Sequence, residues 1–325
     1  MKNYKFKSME EFLYYFPQDL IFYKNFKEKI LFNFKEVNFI GMGGSGIGGK
    51  IISPFLKIKH NVINDYYYDL ISNESLNILI SYSGNTEETI SFFEALKNKK
   101  TIGISAGGKL EELFRKEKLP YFKLTEGYPP RCALPLMFSL LSFILSEYIN
   151  FKLEELDDLK NFLEEKREKF SSIEGECMEM AQKIYKRPLF IYTSYPYAGC
   201  AFRIKTQLNE NSKQFVHIDF IPEMNHNEIE GLKEPEEIIE RAWVIFIKGK
   251  YINDRNKKRI EETIKIIEDE VMGITVFEPE GEKLLEEIFY TIYFFDYVSL
   301  HLAKLNKVNP FEIKRIERLK KALLD

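Results

Sequence analysis

Ser81, Ser83 and Thr86 sit in one short run, Ser81-Tyr82-Ser83-Gly84-Asn85-Thr86, followed at once by Glu87-Glu88. At the end of a strand and the start of a helix, such a turn offers an anion several donors that converge. Side-chain hydroxyls supply some, and the backbone N–H groups that a helix start leaves free supply the rest. The helix dipole already favours negative charge there, so no Lys or Arg has to stand beside it. Capping the helix would use one hydroxyl. This turn carries three, and a phosphate is the anion it suits.

A second turn comes earlier, in Gly41-Met42-Gly43-Gly44-Ser45-Gly46-Ile47-Gly48-Gly49-Lys50. Gly41, Gly43 and Gly46 satisfy GxGxxG, and Asp65 lies where a ribose-binding acid would, so a dinucleotide site is one reading. Gly44 to Lys50 also spells GxxxxGK. Ile51 fills the Ser/Thr place of that pattern, which leaves no hydroxyl for Mg²⁺ and removes ATP hydrolysis from consideration. The third reading is a sugar-binding turn, in which glycines around Gly44 let the backbone approach a small polar ligand and Ser45 adds a hydroxyl. A dinucleotide domain has no use for a second phosphate cradle after its second unit. A sugar phosphate has, with one turn for the sugar and the next for the phosphate.

Three further residues could move protons or balance charge. Glu210, in Leu208-Asn209-Glu210-Asn211-Ser212-Lys213, is a carboxylate among polar neighbours that can stay ionised and act as a base. His226, in Glu223-Met224-Asn225-His226-Asn227-Glu228, is flanked by amides and acids as a tuned proton carrier would be. Arg131 follows Pro129-Pro130, which stiffen its approach and would hold a guanidinium against developing negative charge. By residue type alone each has a plainer fate: an exposed helix glutamate, a loop histidine without a role, a surface ion pair. His217 reads as a satisfied strand residue within the alternating run Phe215 to Phe220. His60 and His301 read as structural or exposed.

The elements that must position these groups are legible in the hydrophobic pattern. Val37–Ile40, Leu76–Ile80, Thr101–Ile104 and Pro120–Lys123 are short apolar runs that predict strands, with helices opening near Ile47 and at Glu87. Residues 8–34 have Phe and Leu at helical spacing. An apolar helix is expected from Ala133 to Ile149, and residues 151–185 read as charged helix with Glu/Lys pairs. The pattern then restarts. Leu189–Thr193, Trp243–Ile247 and Ile274–Phe277 predict strands, and helices open near Cys200, Lys283 and Pro310. Strand–helix alternation points to an α/β fold of two doubly wound, parallel-sheet domains with helices on both faces. Their expected bounds are residues 1–150 and 151–325. Ile313, Ile316 and Leu319 make the last helix amphipathic, so it is expected to dock.

With 325 residues and 45% apolar content, the chain can fill two cores. Its net charge of −3 argues against a nucleic-acid surface. Cys132, Cys177 and Cys200 are odd in number and far apart, so neither a disulfide framework nor a zinc site is expected, and a reducing cytoplasm fits. No secretory signal or membrane span is expected.

Taken in order, GMGGSGIGG, SYSGNTEET, PPRCALPLMF, LNENSK and EMNHNE resemble the bifunctional phosphoglucose/phosphomannose isomerase family, built from two sugar-isomerase (SIS) domains. The resemblance implies an aldose–ketose isomerase that interconverts glucose 6-phosphate, and mannose 6-phosphate, with fructose 6-phosphate through a cis-enediol, without a metal or cofactor. It puts the base at Glu210, the enediolate-stabilising arginine at Arg131, and ring opening at His226, contributed from the neighbouring subunit of a homodimer. It brings Lys320, beside Lys321, into the site with the histidine. Gly44, Ser45, Ser81, Ser83 and Thr86 would bind substrate. A sugar-phosphate sensor would keep the phosphate turn and need no base; a nicotinamide-dependent dehydrogenase would use Gly41 to Gly46 with Asp65.

Overall fold

The computed structural model describes residues 4–28, 32–66 and 71–323. The chain divides into two compact units, Met1–Glu164 and Glu165–Asp325.

The first unit is built on a five-stranded parallel sheet in the order β2-β1-β3-β4-β5. The strands are β1 (Glu36–Ile40), β2 (Lys59–Ile63), β3 (Ser75–Ile80), β4 (Thr101–Ser105) and β5 (Tyr121–Lys123). Every residue of β3 is buried, as a central strand covered on both faces requires. Successive side chains of β1 point to opposite faces. Ile40 joins Leu79 and packs with Phe92, Phe93, Leu110 and Phe114 from the helices Glu87–Leu96 and Gly108–Lys116. Phe39, on the other face, lies against Gly49 of the helix Gly43–Ile52. That helix packs in turn on Leu134–Ile144, almost wholly buried.

The second unit repeats the scheme with four parallel strands in the order β7-β6-β8-β9. These are β6 (Leu189–Thr193), β7 (Val216–Phe220), β8 (Trp243–Ile247) and β9 (Gly273–Phe277). Its core is the helix Leu284–Leu305, buried along nearly its whole length. Arg203, on the helix Ala198–Gln207, forms a fully buried ion pair with Asp296 of that long helix at 2.6 Å.

Four expectations need correction. The helical spacing over 8–34 yields two short helices, Met9–Tyr14 and Phe16–Asp19, and a 3₁₀ turn, Phe22–Asn25. Pro17 lacks an N–H and starts a fresh helix, and Phe26 is already extended. Residues 29–31 lie outside the described residues. The helix expected near Ile47 begins at Gly43, so much of the glycine run is the helix itself. Strand β2 escaped the apolar-run criterion because, as an edge strand, it reads Lys-His-Asn-Val-Ile. The last helix begins at Lys314 rather than Pro310 and buries none of its residues; Leu319 is 61% exposed. The docking expected of it is absent among the described residues.

Candidate active site

In the first sheet the chain leaves β1 toward β2 on one side and later continues from β3 toward β4 on the other. The strand order therefore reverses between β1 and β3, which pair in parallel with Ile40 opposite Leu79. Open α/β sheets bind ligands in the crevice outside the carboxyl ends of two such strands. The turn after β1 carries Gly44 and Ser45; the turn after β3 carries Ser81, Ser83 and Thr86. The sequence-derived binding residues thus meet at one switch point.

Within this crevice the groups divide by role. The Ser45 hydroxyl is buried and accepts the Tyr82 N–H at 3.0 Å, tying the first turn to the second. Ser81 is fully buried; it donates to the Thr86 hydroxyl at 2.8 Å and accepts the Thr86 N–H at 3.4 Å. It therefore shapes the turn from within. Ser83 is exposed, and Thr86 is the N-cap of Glu87–Leu96 without capping that helix through its own side chain. The first-turn N–H groups are left facing the turn.

Arg131 lies in the 3₁₀ turn Pro130–Cys132 and is almost completely buried. A Cβ placed on Gly44 would stand 3.0 Å from the Arg131 backbone nitrogen, so the Pro-Arg segment rests directly on the glycine turn. The close backbone approach that GxGxxG would offer a pyrophosphate is taken by the chain itself. Tyr82, between the two turn serines, extends the same construction. Its phenol donates to the Thr125 carbonyl at 2.8 Å and accepts the Tyr128 N–H at 2.7 Å, bracing the irregular segment that leads from β5 to Pro129. Asn64, whose amide donates to the Gly41 carbonyl, and Tyr82 are contributors that motif reading missed, because each acts by holding backbone.

In the second unit, the helix Ala198–Gln207 passes into a π-helical turn, Leu208–Ser212, which carries Glu210. Single π-turns inside helices recur at functional sites because they re-aim a side chain. Asn211 anchors this one by donating to the Ser299 hydroxyl at 3.0 Å, while Glu210 remains partly exposed. Lys213 closes the turn in the left-handed region, at φ 59°. Its ammonium donates to the carbonyls of Glu210 at 2.6 Å, Glu312 at 2.7 Å and Asn309 at 3.1 Å. The start of the C-terminal arm is thereby held facing Glu210 across a groove of about 490 Å³, lined also by Phe215, Ile313 and Ile316.

His226 ends the 3₁₀ turn Glu223–His226 and is exposed. Met224 beside it is fully buried, and Asn225 donates to the Thr263 hydroxyl at 2.8 Å. His226 and Lys320 are not among the residues lining the groove beside Glu210. His217 lies on β7 and is satisfied there, as expected. It is partly exposed, and its Nε2 stands 2.9 Å from a Glu228 carboxylate oxygen. His301 is buried with Nε2 3.0 Å from the Phe170 carbonyl, and His60 has Nδ1 3.2 Å from the Ile58 carbonyl. Among the described residues, no helix is long and apolar enough to cross a membrane.

Comparison with known proteins agrees with this architecture. Residues 173–323 match the family model described as the bacterial phospho-glucose isomerase C-terminal SIS domain. A bifunctional phosphoglucose/phosphomannose isomerase from Aquifex aeolicus is 33% identical over 93% of this chain and 96% of its own length. One of the same name from Thermoplasma acidophilum is 33% identical over 92% of this chain and 96% of its own length. The C-terminal domain of glucosamine-fructose-6-phosphate aminotransferase from Francisella tularensis shares the fold, with a TM-score of 0.71 at 14% identity over 95% of this chain and 99% of that one. On the near-full-length match to the first two, this chain belongs to the bifunctional phosphoglucose/phosphomannose isomerase family.

Proposed function

We propose that the protein interconverts glucose 6-phosphate and mannose 6-phosphate with fructose 6-phosphate. The observation that carries this reading is the convergence of two turns at one sheet's switch point. One is rich in glycine and the other in hydroxyls, and the second opens a helix that no side chain caps. Ser83, Thr86 and the first N–H groups of that helix hold the phosphate; Ser81 fixes the turn; Gly44 and Ser45 seat the sugar.

Isomerisation then needs one proton moved between adjacent carbons. Glu210 takes the proton from C2 of the aldose, the electron pair becomes the C1–C2 double bond, and the carbonyl oxygen on C1 gains a proton. Return of the proton to C1, with loss of the C2 hydroxyl proton that balances the one gained at O1, moves the carbonyl to C2. Arg131 stabilises the intermediate enediolate. His226, with Lys320, opens the ring. Its outward presentation on a pinned loop supports its delivery to the site of a second copy, so we read the working form as a homodimer with the site near the interface. Glucose and mannose 6-phosphates differ only at C2, and a base that reaches C2 from either face after bond rotation serves both. That the three cysteines are buried thiols outside any disulfide supports a cytoplasmic setting.

Incubation with fructose 6-phosphate in D₂O tests the reading. Both aldose products should appear, carrying deuterium at C2. Failure to form any aldose 6-phosphate would overturn it.

A further inference from the structure

A cluster of titratable side chains outside the groups given roles above lies beside the His226 loop. Tyr192 on β6 pairs in register with Asp219 on β7, and Phe190 pairs with His217. Residues two apart share a face, so Tyr192, His217 and Asp219 project from one face of this strand pair. Glu228 lies over them. The fully buried Tyr192 phenol donates to Glu228 Oε1 at 2.5 Å, and His217 Nε2 stands 2.9 Å from the same carboxylate. Glu228 is two residues beyond His226 and opens the short helix Glu228–Gly231, with its own N–H bonded to the Asn227 side chain. Asn227 also reaches back to Glu223 at 3.1 Å. On the other flank the loop is held by buried Met224 and by the Asn225–Thr263 bond.

We propose that Tyr192, His217 and Glu228 form a latch that fixes the pose of His226, with Glu228 as the positioning residue. The inference rests on the role of His226 given above. A carboxylate held by a buried phenol and an imidazole defines one end of the loop, and buried Met224 defines the other, so the exposed imidazole between them is presented in one orientation. The latch is also sensitive to protons. Hydrogen bonding to Glu228 raises the pKa of His217 above the ordinary histidine value, against its partial burial; Asp219 adds to the rise and Lys205, on the helix Ala198–Gln207, opposes it. Burial works against ionising Glu228, but the hydrogen bonds from His217, Tyr192 and Asp219 outweigh it and hold that carboxyl low. Asp219 is raised by its burial and by Glu228. The charged His217–Glu228 contact is therefore fully present below the ordinary histidine pKa and is lost as pH rises through the raised value.

The test uses the full chain with H217Q, E228Q and Y192F, each also combined with H226A. H217Q should lower kcat/KM for fructose 6-phosphate about tenfold at pH 6. The ratio of wild type to H217Q should fall toward one as pH rises. In the H226A background the same substitutions should add nothing. An equal loss in both backgrounds, or a ratio that does not change with pH, would overturn the latch. An H226A chain as active as wild type would instead reject the role of His226. In that case amide hydrogen exchange over residues 223–231 still decides the latch: faster exchange in H217Q at pH 6 supports it, and unchanged exchange overturns it. Y192F is the check against misfolding of E228Q, since it removes one bond to the carboxylate and leaves its charge and the His217 contact.

Discussion

The two sheets place their third strand beside their first in the same way, yet their switch points are opposites. Between β1 and β3 the crevice holds glycines, hydroxyls and free helix N–H groups. Between β6 and β8 the turn after β6 brings in Tyr197, and the fully buried Glu287 of the long helix reaches the same spot. The Tyr197 phenol bonds to Glu287, and the Lys250 N–H donates to the same carboxylate oxygen at 3.0 Å. A Cβ on Gly249 would lie 2.1 Å from the phenol and 2.6 Å from Glu287, so the glycine is there to admit a protein side chain. On the reading proposed above, one crevice receives an anion. The other is filled by a phenol and an acid, which would repel one. Repeating the fold thus repeats the location of a crevice without its chemistry; on the reading proposed above, the second unit contributes instead through Glu210, in the π-helical turn that follows Ala198–Gln207.

If that contrast holds, the largest effect should come from Glu210→Gln. Turnover should fall about 10³- to 10⁴-fold, while calorimetry still finds one sugar phosphate bound per chain. A stoichiometry of two would break the comparison, because both switch points would then be occupied. Thr86→Val should raise KM for fructose 6-phosphate about 10- to 100-fold, the worth of one hydrogen bond to a charged group, whereas Tyr197→Phe should leave KM where it was. Steady-state kinetics on the pair would sharpen or dissolve the distinction.

Gly249→Ala should cost about 1–3 kcal/mol through overpacking, seen as a lower melting temperature with KM unaltered. The smallest effect concerns pH. Burial raises the pKa of Glu287, against the hydrogen bonds from Tyr197 and Lys250. A raised folded-state value means that the folded chain holds the proton more tightly than the unfolded one. Stability then declines as pH rises from the ordinary glutamate value through the raised one. Denaturant titrations across that window should show the decline in the wild type and a flatter profile in Glu287→Gln.

The central strands and the turns that end them were readable in the sequence, because a buried parallel strand is a run of apolar residues and the turn chemistry sits directly after it. Leu76–Ile80 followed by the hydroxyl turn is the clearest case. Edge strand β2 was not readable, since one of its sides meets solvent and its residues are polar. The site was legible where its members are adjacent in the chain and obscure where they are not. Tyr192, His217 and Glu228 come together from separate elements, and Lys213 reaches Glu312 from 99 positions away. The same limit explains the C-terminal helix: an amphipathic stripe announces that a face wants covering, but its spacing does not say by what.

Tyr82 carries one more implication. It stands between the two serines of the hydroxyl turn, and its phenol ends on the backbone that leads to Arg131. If the turn and Arg131 act as proposed above, Tyr82 links occupancy of the one to the aim of the other. The phosphoryl group, remote from the carbons that react, then acts as an activator built into the substrate as well as a handle. Free phosphite dianion supplied alongside a sugar that lacks the group should restore part of the lost turnover, with binding energy from a spectator group spent on the reacting end.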